Sequence, residues 1–363
     1  MLQTLIDRIG EPRTLALGGL VLGTVFGFFA QRSRFCLRSA VIEFARNLGG
    51  GKLTVWLFAF GTAVLATQAL VMAGWLDSSS ARQISARGSM SGALVGGLLF
   101  GSGMILARGC SSRLLILAGQ GNLRSVISGL VFAVTAQASL SGVLAPLREG
   151  IAGWWTIDGG SARDLLARLG LGHGSAMAFG IVWLLAAIWW ARRQRVPAWG
   201  WAGAIVVGLS IAAAWAFTYG VTQLAFDPHP VQAMSFTGPS SELLSRVLFS
   251  SDRPLNFDMG LIVGVFAGAF VAAALFRELK LEGFQGGASM RRYLVGALMM
   301  GFGGMLAGGC AVGSGLSGAA VFALTAWVAL TAIWVSAALT DRWMDQAPTG
   351  QLDEAMPGQP AHS

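Results

Sequence analysis

Two stretches of this sequence decide its fold: Leu94–Cys110 reads LVGGLLFGSGMILARGC, and Leu294–Cys310 reads LVGALMMGFGGMLAGGC. The two stretches are 200 residues apart, and 10 of their 17 positions are identical. Glycine-rich membrane helices can resemble one another by chance. Here, however, both copies end in the same Gly-Cys pair, and the whole chain has three cysteines. We therefore interpret the pair as an internal repeat.

The composition around this repeat is that of a membrane protein. Hydrophobic residues make up 54% of the chain and charged residues 12%, whereas about a quarter of the residues of a soluble domain are charged. The 51 glycines suit close helix packing, and the 13 tryptophans suit membrane interfaces. We predict an all-α integral membrane protein whose outer surface is covered by the lipid bilayer.

Nine apolar segments approach the length of about 20 residues that a membrane-spanning helix needs. They are residues 15–30, 53–75, 90–107, 123–145, 176–191, 198–221, 259–276, 292–307 and 319–339. The basic loops 31–52, 192–197 and 277–291 then fall on one face, which the positive-inside rule makes cytoplasmic. We therefore predict an external N-terminus and a cytoplasmic C-terminus. Orientation explains most of the net charge of +8, and no basic-aromatic surface indicates nucleic acid binding.

The repeat divides the chain into two halves. Residues 15–145 contain four crossings, residues 146–197 form a linker with one crossing, and residues 198–340 contain four more. Because one linker crossing reverses the second half, the spacing predicts an inverted-topology repeat, which in transporters places a substrate site near the midplane. The polar segment 341–363 is predicted to be a disordered tail.

Four short stretches at matching places in the two halves are too polar or too interrupted to span alone. They are Leu37–Asn47, Ser111–Gln120, Ser240–Phe249 and Ala311–Ala320. Irregular backbone at membrane depth persists only where it is buried or lines a wet cavity. We predict four short intramembrane or re-entrant helices.

The spacing also suggests a partner for the first cysteine. Cys36 precedes Cys110 by 74 residues, and the same distance before Cys310 reaches Phe236. We therefore pair the segment of Cys36 with the segment Thr237–Pro239. In that segment Pro239 suits the first turn of a helix, with Thr237 or Gly238 as its cap.

The cysteines are the candidate pathway residues, since each lies beside glycine or arginine in a motif. They are Cys36, Cys110 and Cys310, with Gly109, Gly308 and Gly309 next to the last two. Glycine leaves backbone amides within reach of a ligand, and helix N-termini attract anions. The alternative is that each buried cysteine is only a small hydrophobic residue.

Charged residues near the cysteines have two interpretations. The arginines concerned are Arg34, Arg38, Arg108 and Arg113. They either supply positive potential for an anion or extend to the membrane interface. Glu43 is interpreted as the partner of Arg38 or Arg46, with a coupling carboxylate as the alternative. No metal-ligand spacing, cofactor motif or catalytic set is present, so we expect no metal, no cofactor and no enzymatic activity.

On these motifs the sequence resembles the YeeE/YedE family of sulfur-compound transporters, which includes thiosulfate permeases. The motifs are Ser33-Arg34-Phe35-Cys36 with Arg38, Arg108-Gly109-Cys110 with Leu114, Gly119-Gln120-Gly121-Asn122-Leu123, and Gly308-Gly309-Cys310 with Gly313 and Gly315-Leu316-Ser317. The resemblance extends over residues 15–340. It implies nine spanning helices with four short ones, and uptake of thiosulfate across a bacterial inner membrane.

The resemblance also implies that the three cysteines contact the substrate. A small cytoplasmic TusA-like sulfur carrier is the implied partner, expected here as a separate chain. Because thiolates would repel a dianion, we expect neutral thiols that donate weak hydrogen bonds to a soft sulfur. Three alternatives stay open: a permease for another sulfur- or selenium-containing anion, a membrane sulfurtransferase that forms a Cys persulfide, and a structural membrane subunit.

Overall fold

A computed structural model describes residues 2–48, 50–225, 229–249, 254–283 and 287–344 of the chain. Within these residues the fold is helical apart from one pair of two-residue strands. In that pair Gly88–Ser89 lies antiparallel to Thr156–Ile157. The prediction of an all-α integral membrane protein is therefore confirmed at the level of fold class.

The helices follow one another along the whole described chain. They are α1 (Leu2–Ile9), α2 (Glu11–Arg32), α3 (Leu37–Ala45), α4 (Gly51–Met72), α5 (Arg82–Ser85), α6 (Met90–Leu106), α7 (Ser111–Gly119), α8 (Leu123–Ser141), α9 (Ala145–Gly153), α10 (Leu165–Leu169), α11 (His173–Gln194), α12 (Ala198–Leu224), α13 (Thr237–Phe249), α14 (Phe257–Leu275), α15 (Gly287–Leu306) and α16 (Leu324–Met344). Two short 3₁₀ turns, Ser78–Ser80 and Gly160–Ala162, and a π-helix, Gly313–Gly318, complete the set.

Eight helical ranges within the described residues are long and apolar enough to cross a membrane. Two of them, Glu11–Ala45 and Met90–Gly119, each join a long helix to the short helix that follows it. The predicted span 292–307 overlaps α15 up to its last residue, Leu306, and α15 is not among the eight. The predicted count of nine crossings therefore stays a prediction, although each predicted segment overlaps a long helix.

Large apolar side chains cover the outside of the helix bundle. Val21 is 55% exposed, Val182 is 63% exposed and Leu339 is 52% exposed. Water would make such a surface unstable, whereas hydrocarbon does not. The exposed side chains are therefore placed to face lipid.

Close backbone contacts fix how the long helices run. A Cβ placed on Gly103 would lie 2.6 Å from the carbonyl oxygen of Gly296, and one on Gly303 would lie 2.7 Å from that of Gly96. Helices α6 and α15 therefore cross in opposite directions at touching distance, as small residues allow in membranes. Their C-terminal ends, which lead to Cys110 and Cys310, lie on opposite sides of this crossing.

Helices of the two halves pack on each other in matching pairs. Helix α2 packs on α14 and α12 packs on α4, while α6 packs on α16 and α15 packs on α8. The short elements follow the same scheme, since α7 contacts α8 and α14 whereas the π-helix contacts α16 and α4. Helix α3 contacts α16, and α13 contacts α8.

Short helices occupy the four stretches predicted from the sequence. They are α3, α7, α13 and the π-helix, which has helical residues directly before and after it. Helix α13 begins at Thr237, so Thr237 and Gly238 lie within its first turn and not before it. Pro239 lies in that first turn, where its missing N–H leaves no helical hydrogen bond unmade.

The C-terminal end of the described chain is anchored and helical. Helix α16 continues to Met344, past the predicted boundary at residue 340. Asp341 is fully buried, and its two carboxylate oxygens accept hydrogen bonds of 2.7 and 2.8 Å from Arg46. This pair joins the end of α3 to the end of α16. The rest of the predicted tail, residues 345–363, lies outside the described residues.

Candidate functional site

All three cysteines follow the same turn at the end of a long helix. Two residues before each cysteine the backbone has a positive φ angle, which ends the helix in a left-handed turn. The residues are Arg34 (54°), Arg108 (54°) and Gly308 (75°). In each turn the residue just before the cysteine donates its N–H to the carbonyl five residues earlier, at 3.0 to 3.2 Å. The motif similarity seen in the sequence therefore reflects one repeated turn.

Each cysteine also lies at the start of a short helical element. The carbonyl of Cys36 accepts from Ala40, that of Cys110 from Leu114, and that of Cys310 from the residue four positions later. The first N–H groups of such elements have no helical acceptor and carry partial positive charge. All three side chains are free thiols and are buried. This arrangement can hold an anion beside a thiol.

The structure brings two of the thiols together. The side chains of Cys36 and Cys110 lie close enough to interact with each other electrostatically. The sulfur of Cys110 also lies 3.3 Å from the hydroxyl of Ser112. Next to it, the buried hydroxyl of Ser111 has no hydrogen-bond partner in the described part of the chain. A polar group left in this state is available to a ligand.

Positive charges surround this thiol pair. The Arg113 guanidinium interacts electrostatically with both sulfurs, and Arg38 with that of Cys36. Arg34 lies near Arg113, so like charges are held together beside the two sulfurs. Sequence reasoning missed Lys52, which also acts on Cys36. In the sequence it is simply a lysine at the start of an apolar helix. A lysine that only extends to the membrane interface would occupy the same kind of position.

The surroundings of Arg108 and Glu43 differ from those that the sequence suggested. Arg108 is exposed, and no contact between it and the thiols is found among the described residues. Glu43 accepts a hydrogen bond of 2.9 Å from the backbone of Leu53 and has Lys52 as an electrostatic neighbour. Arg46, one of its two expected partners, pairs with Asp341.

The third thiol has a different environment. The sulfur of Cys310 accepts a hydrogen bond of 3.4 Å from the N–H of Gly313 and lies 4.0 Å from the hydroxyl of Ser235. Cys310 is completely buried. A Cβ on Gly309 would lie 2.9 Å from the hydroxyl of Ser314, so a larger side chain would displace that hydroxyl. Hydroxyls and backbone amides therefore surround this thiol.

The segment paired with Cys36 by spacing lies near this third thiol. Thr237 is buried, and its hydroxyl oxygen has no hydrogen-bond partner among the described residues. A Cβ on Gly304 would lie 2.8 Å from that oxygen, so Thr237 faces α15. A Cβ on Gly238 or on Gly308 would meet nothing within 4 Å, which leaves open space beside both backbones.

Buried aromatic rings connect the two thiol environments. The ring of Phe26 lies 6.4 Å from that of Phe35, which precedes Cys36, and 5.5 Å from that of Phe236, which follows Ser235. All three rings are at most 2% exposed. A buried apolar contact therefore links the residue before Cys36 with the residue after Ser235.

The described residues contain no group of three His, Cys, Asp or Glu side chains that could hold a metal ion. What the site offers is thiols, hydroxyls, backbone amides and fixed positive charge. Such groups suit an anion that has a soft sulfur atom and hard oxygen atoms.

Comparison with known proteins agrees with this chemistry. Two curated relatives, from Escherichia coli (strain K12) and Spirochaeta thermophila, are each named thiosulfate transporter TsuA. The first is 24% identical over 340 residues, which cover 87% of this chain and 91% of the relative. The second is 28% identical over 327 residues, with coverage of 86% and 93%. The family model described as Sulphur transport matches residues 32–339, and the chain therefore belongs to the sulphur transport family of YeeE/YedE proteins.

Proposed function

We propose that this protein takes up thiosulfate across the inner membrane of a bacterium through a central pathway lined by Cys36, Cys110 and Cys310. The observation that supports this most is the closeness of the Cys36 and Cys110 thiols at the starts of two short helices. Two thiols, two helix N-termini and Arg113 then converge on one position. Thiosulfate combines a soft terminal sulfur with charged oxygens, so it fits such a set of groups.

The pathway has two stations, which we name by their cysteines. The outer station contains Cys310, Ser235 and the N–H of Gly313, and the inner station contains Cys36 and Cys110 with their cations. The outer station is neutral and receives the anion by weak hydrogen bonds, whereas the inner station attracts it by charge. Several weak sites in series let an ion enter and still leave.

The two halves of the chain form an inverted repeat in this proposal. Exchange of α2 with α12, α4 with α14, α6 with α15 and α8 with α16 turns the pair α2–α14 into α12–α4 and the pair α6–α16 into α15–α8. The antiparallel crossing of α6 and α15 is consistent with opposite orientation of the halves. The repeat places the thiol-bearing turns on both sides of one midplane.

Orientation follows from the basic loops. Arg192, Arg193 and Arg195 follow one another at the end of α11, and Arg34 and Arg38 lie after α2 on the same predicted face. With this face cytoplasmic, the N-terminus is outside and the outer station opens to the periplasm. A TusA-like sulfur carrier on a separate chain would then receive the anion on the cytoplasmic face.

Growth on thiosulfate as the sole sulfur source tests the proposal. In a host that lacks its own thiosulfate and sulfate uptake, the wild-type chain restores growth. Cys110→Ala and Cys310→Ala each reduce uptake at least about tenfold, because a hydrogen bond to a charged group contributes about 1.5–3 kcal/mol. Thr331→Ala, an exposed position on α16, serves as the control at equal membrane abundance. Wild-type uptake by all three single Cys→Ala variants would refute the cysteine-lined pathway.

Competition separates thiosulfate from the other candidate functions. Unlabelled thiosulfate should compete with labelled thiosulfate more strongly than sulfate, selenite or selenate do. A stronger effect of a selenium anion would assign the protein to that substrate. A membrane sulfurtransferase would instead leave a sulfur atom on Cys110 or Cys310 during turnover, which mass spectrometry of the intact protein detects as a persulfide.

A further inference from the structure

A carboxylate stands beside the inner station, just after the end of α14. The side chain of Glu278 accepts a hydrogen bond of 2.9 Å from the amide of Gln31. Its other oxygen lies 3.7 Å from Arg32 and 3.9 Å from Arg34. The carboxylate is 28% exposed, so solvent reaches it. It is therefore a partly exposed negative charge beside a positively charged site.

A single buried amide connects this carboxylate to the thiol pair. Gln31 is 2% exposed, and its NH₂ group donates to Glu278 while its oxygen accepts from Arg113 at 3.4 Å. Arg113 is attracted both to Glu278 and to the sulfurs of Cys36 and Cys110. An anion at the thiols and the carboxylate of Glu278 therefore compete for the same guanidinium.

The ion pairs of Glu278 are loose compared with another pair in the same protein. Charge-assisted hydrogen bonds are about 2.7–2.9 Å long, and Arg46 holds Asp341 with bonds of 2.7 and 2.8 Å. The distances from Glu278 to Arg32 and Arg34 exceed this range by almost 1 Å or more. Partly exposed pairs of this kind exchange readily with solvent and with other anions.

The backbone of this loop is nevertheless held in place. The N–H of Lys280 donates to the carbonyl of Gln120 at the end of α7, with a length of 3.1 Å. Two residues further on, the side chain of Glu282 accepts a hydrogen bond of 2.7 Å from Asn122. The loop is thus fixed to the helix that begins at Cys110. The side chain of Glu278 extends from this fixed backbone, so a change of its rotamer would move the carboxylate toward or away from the cations.

We propose that Glu278 is an internal competing anion that controls release from the inner station. In the empty protein its carboxylate neutralises Arg34 and Arg113. An arriving anion displaces it, and its return to the cations displaces the anion toward the cytoplasmic face. This inference rests on the proposed function, because it needs an anion that passes the thiols. It assigns Glu278 a role in turnover that neither the motifs nor the repeat indicates.

The variant Glu278→Gln tests the proposal, since it keeps the size of the side chain and removes its charge. The full-length protein is reconstituted in liposomes, and labelled thiosulfate is followed in net uptake and in exchange against internal unlabelled thiosulfate. In the variant, both KM and the maximal rate of net uptake fall roughly three- to tenfold, since each partly exposed ion pair contributes up to about fivefold. Exchange stays near the wild-type rate, because a second thiosulfate ion can displace the first.

A matched control lies in the same loop. Glu282→Gln makes the same change of charge but keeps the oxygen that accepts from Asn122, so its KM and rates stay as in the wild type. Glu278→Asp keeps the charge and retains net uptake. If Glu278→Gln does not fold, Gln31→Leu removes the amide link without touching the carboxylate and shifts KM in the same direction.

The outcomes distinguish this inference from the proposed function. If the wild type takes up thiosulfate and Glu278→Gln behaves as Glu282→Gln does, the competing role of Glu278 is refuted alone. The same conclusion follows if net uptake and exchange fall together, since that indicates a structural role. If the wild type takes up no thiosulfate at all, both the function and the role of Glu278 are refuted.

Discussion

The pair between Arg46 and Asp341 leads to an asymmetric prediction about stability. Asp341 is fully buried, whereas the Arg46 side chain is 21% exposed. The variant Arg46→Met leaves a buried carboxylate without its bidentate partner, which costs about 3–5 kcal/mol. The variant Asp341→Asn keeps one acceptor and leaves a cation that water reaches, which costs about 1–2 kcal/mol. The first change is therefore more damaging than the second by about 2 kcal/mol.

Equilibrium unfolding with SDS in mixed micelles, followed by circular dichroism, measures both changes. The double variant Arg46→Met with Asp341→Leu recovers much of the loss, because it leaves no buried charge. The exposed pair Arg87–Asp158, 3.8 Å apart with side chains 71% and 90% exposed, is the control, and Arg87→Met leaves the free energy of unfolding unchanged. Equal and small effects of both single variants would refute the reasoning, since the carboxylate would then be solvated.

The same pair also concerns transport, because α3 begins directly after Cys36. Loss of the pair frees the end of α3 from α16 and lets the Cys36 thiol move away from Cys110. We therefore expect Arg46→Met to lower thiosulfate uptake even under conditions in which the variant stays folded. If the variant is destabilised as expected but transports at the wild-type rate, the pair contributes to stability and not to the geometry of the site.

Two further predictions concern close packing and an unused hydroxyl. Gly296→Leu places a side chain against a backbone carbonyl of α6 and lowers the free energy of unfolding by about 3 kcal/mol, whereas Gly129→Leu, with nothing within 4 Å, is tolerated in the same assay. Ser111→Ala removes a buried hydroxyl without a partner in the described chain, so it raises stability by about 1 kcal/mol. The same variant raises the KM for thiosulfate, and an unchanged KM would show that this hydroxyl does not face the ion.

The sequence predicted the helices well, because hydrophobic length is a direct signal in a membrane protein. Helix α16 continues beyond residue 340, where the sequence predicted the start of a polar tail. The prediction ended the helix there because Asp341 is charged. Its burial depends on Arg46, which lies almost 300 residues earlier. A partner so distant leaves no local pattern in a single sequence.

The sequence motifs singled out Cys36 and Cys110, which the fold brings close together. That the three cysteines line a pathway stays a prediction. Gln31, Lys52 and Glu278 were missed, because each is an ordinary polar residue close to one end of an apolar helix. Only the fold shows that all three converge on the same thiols.

The touching backbones of α6 and α15 have a consequence for how this protein works. A transporter that works by a rocking motion requires two parts of the protein to separate at their interface. At the interface of α6 and α15, however, glycines bring the two main chains into direct contact. We therefore expect the long helices to act as a rigid frame during turnover. Movement would then be confined to small parts of the protein: the short helices, the rings of Phe26, Phe35 and Phe236, and the side chain of Glu278.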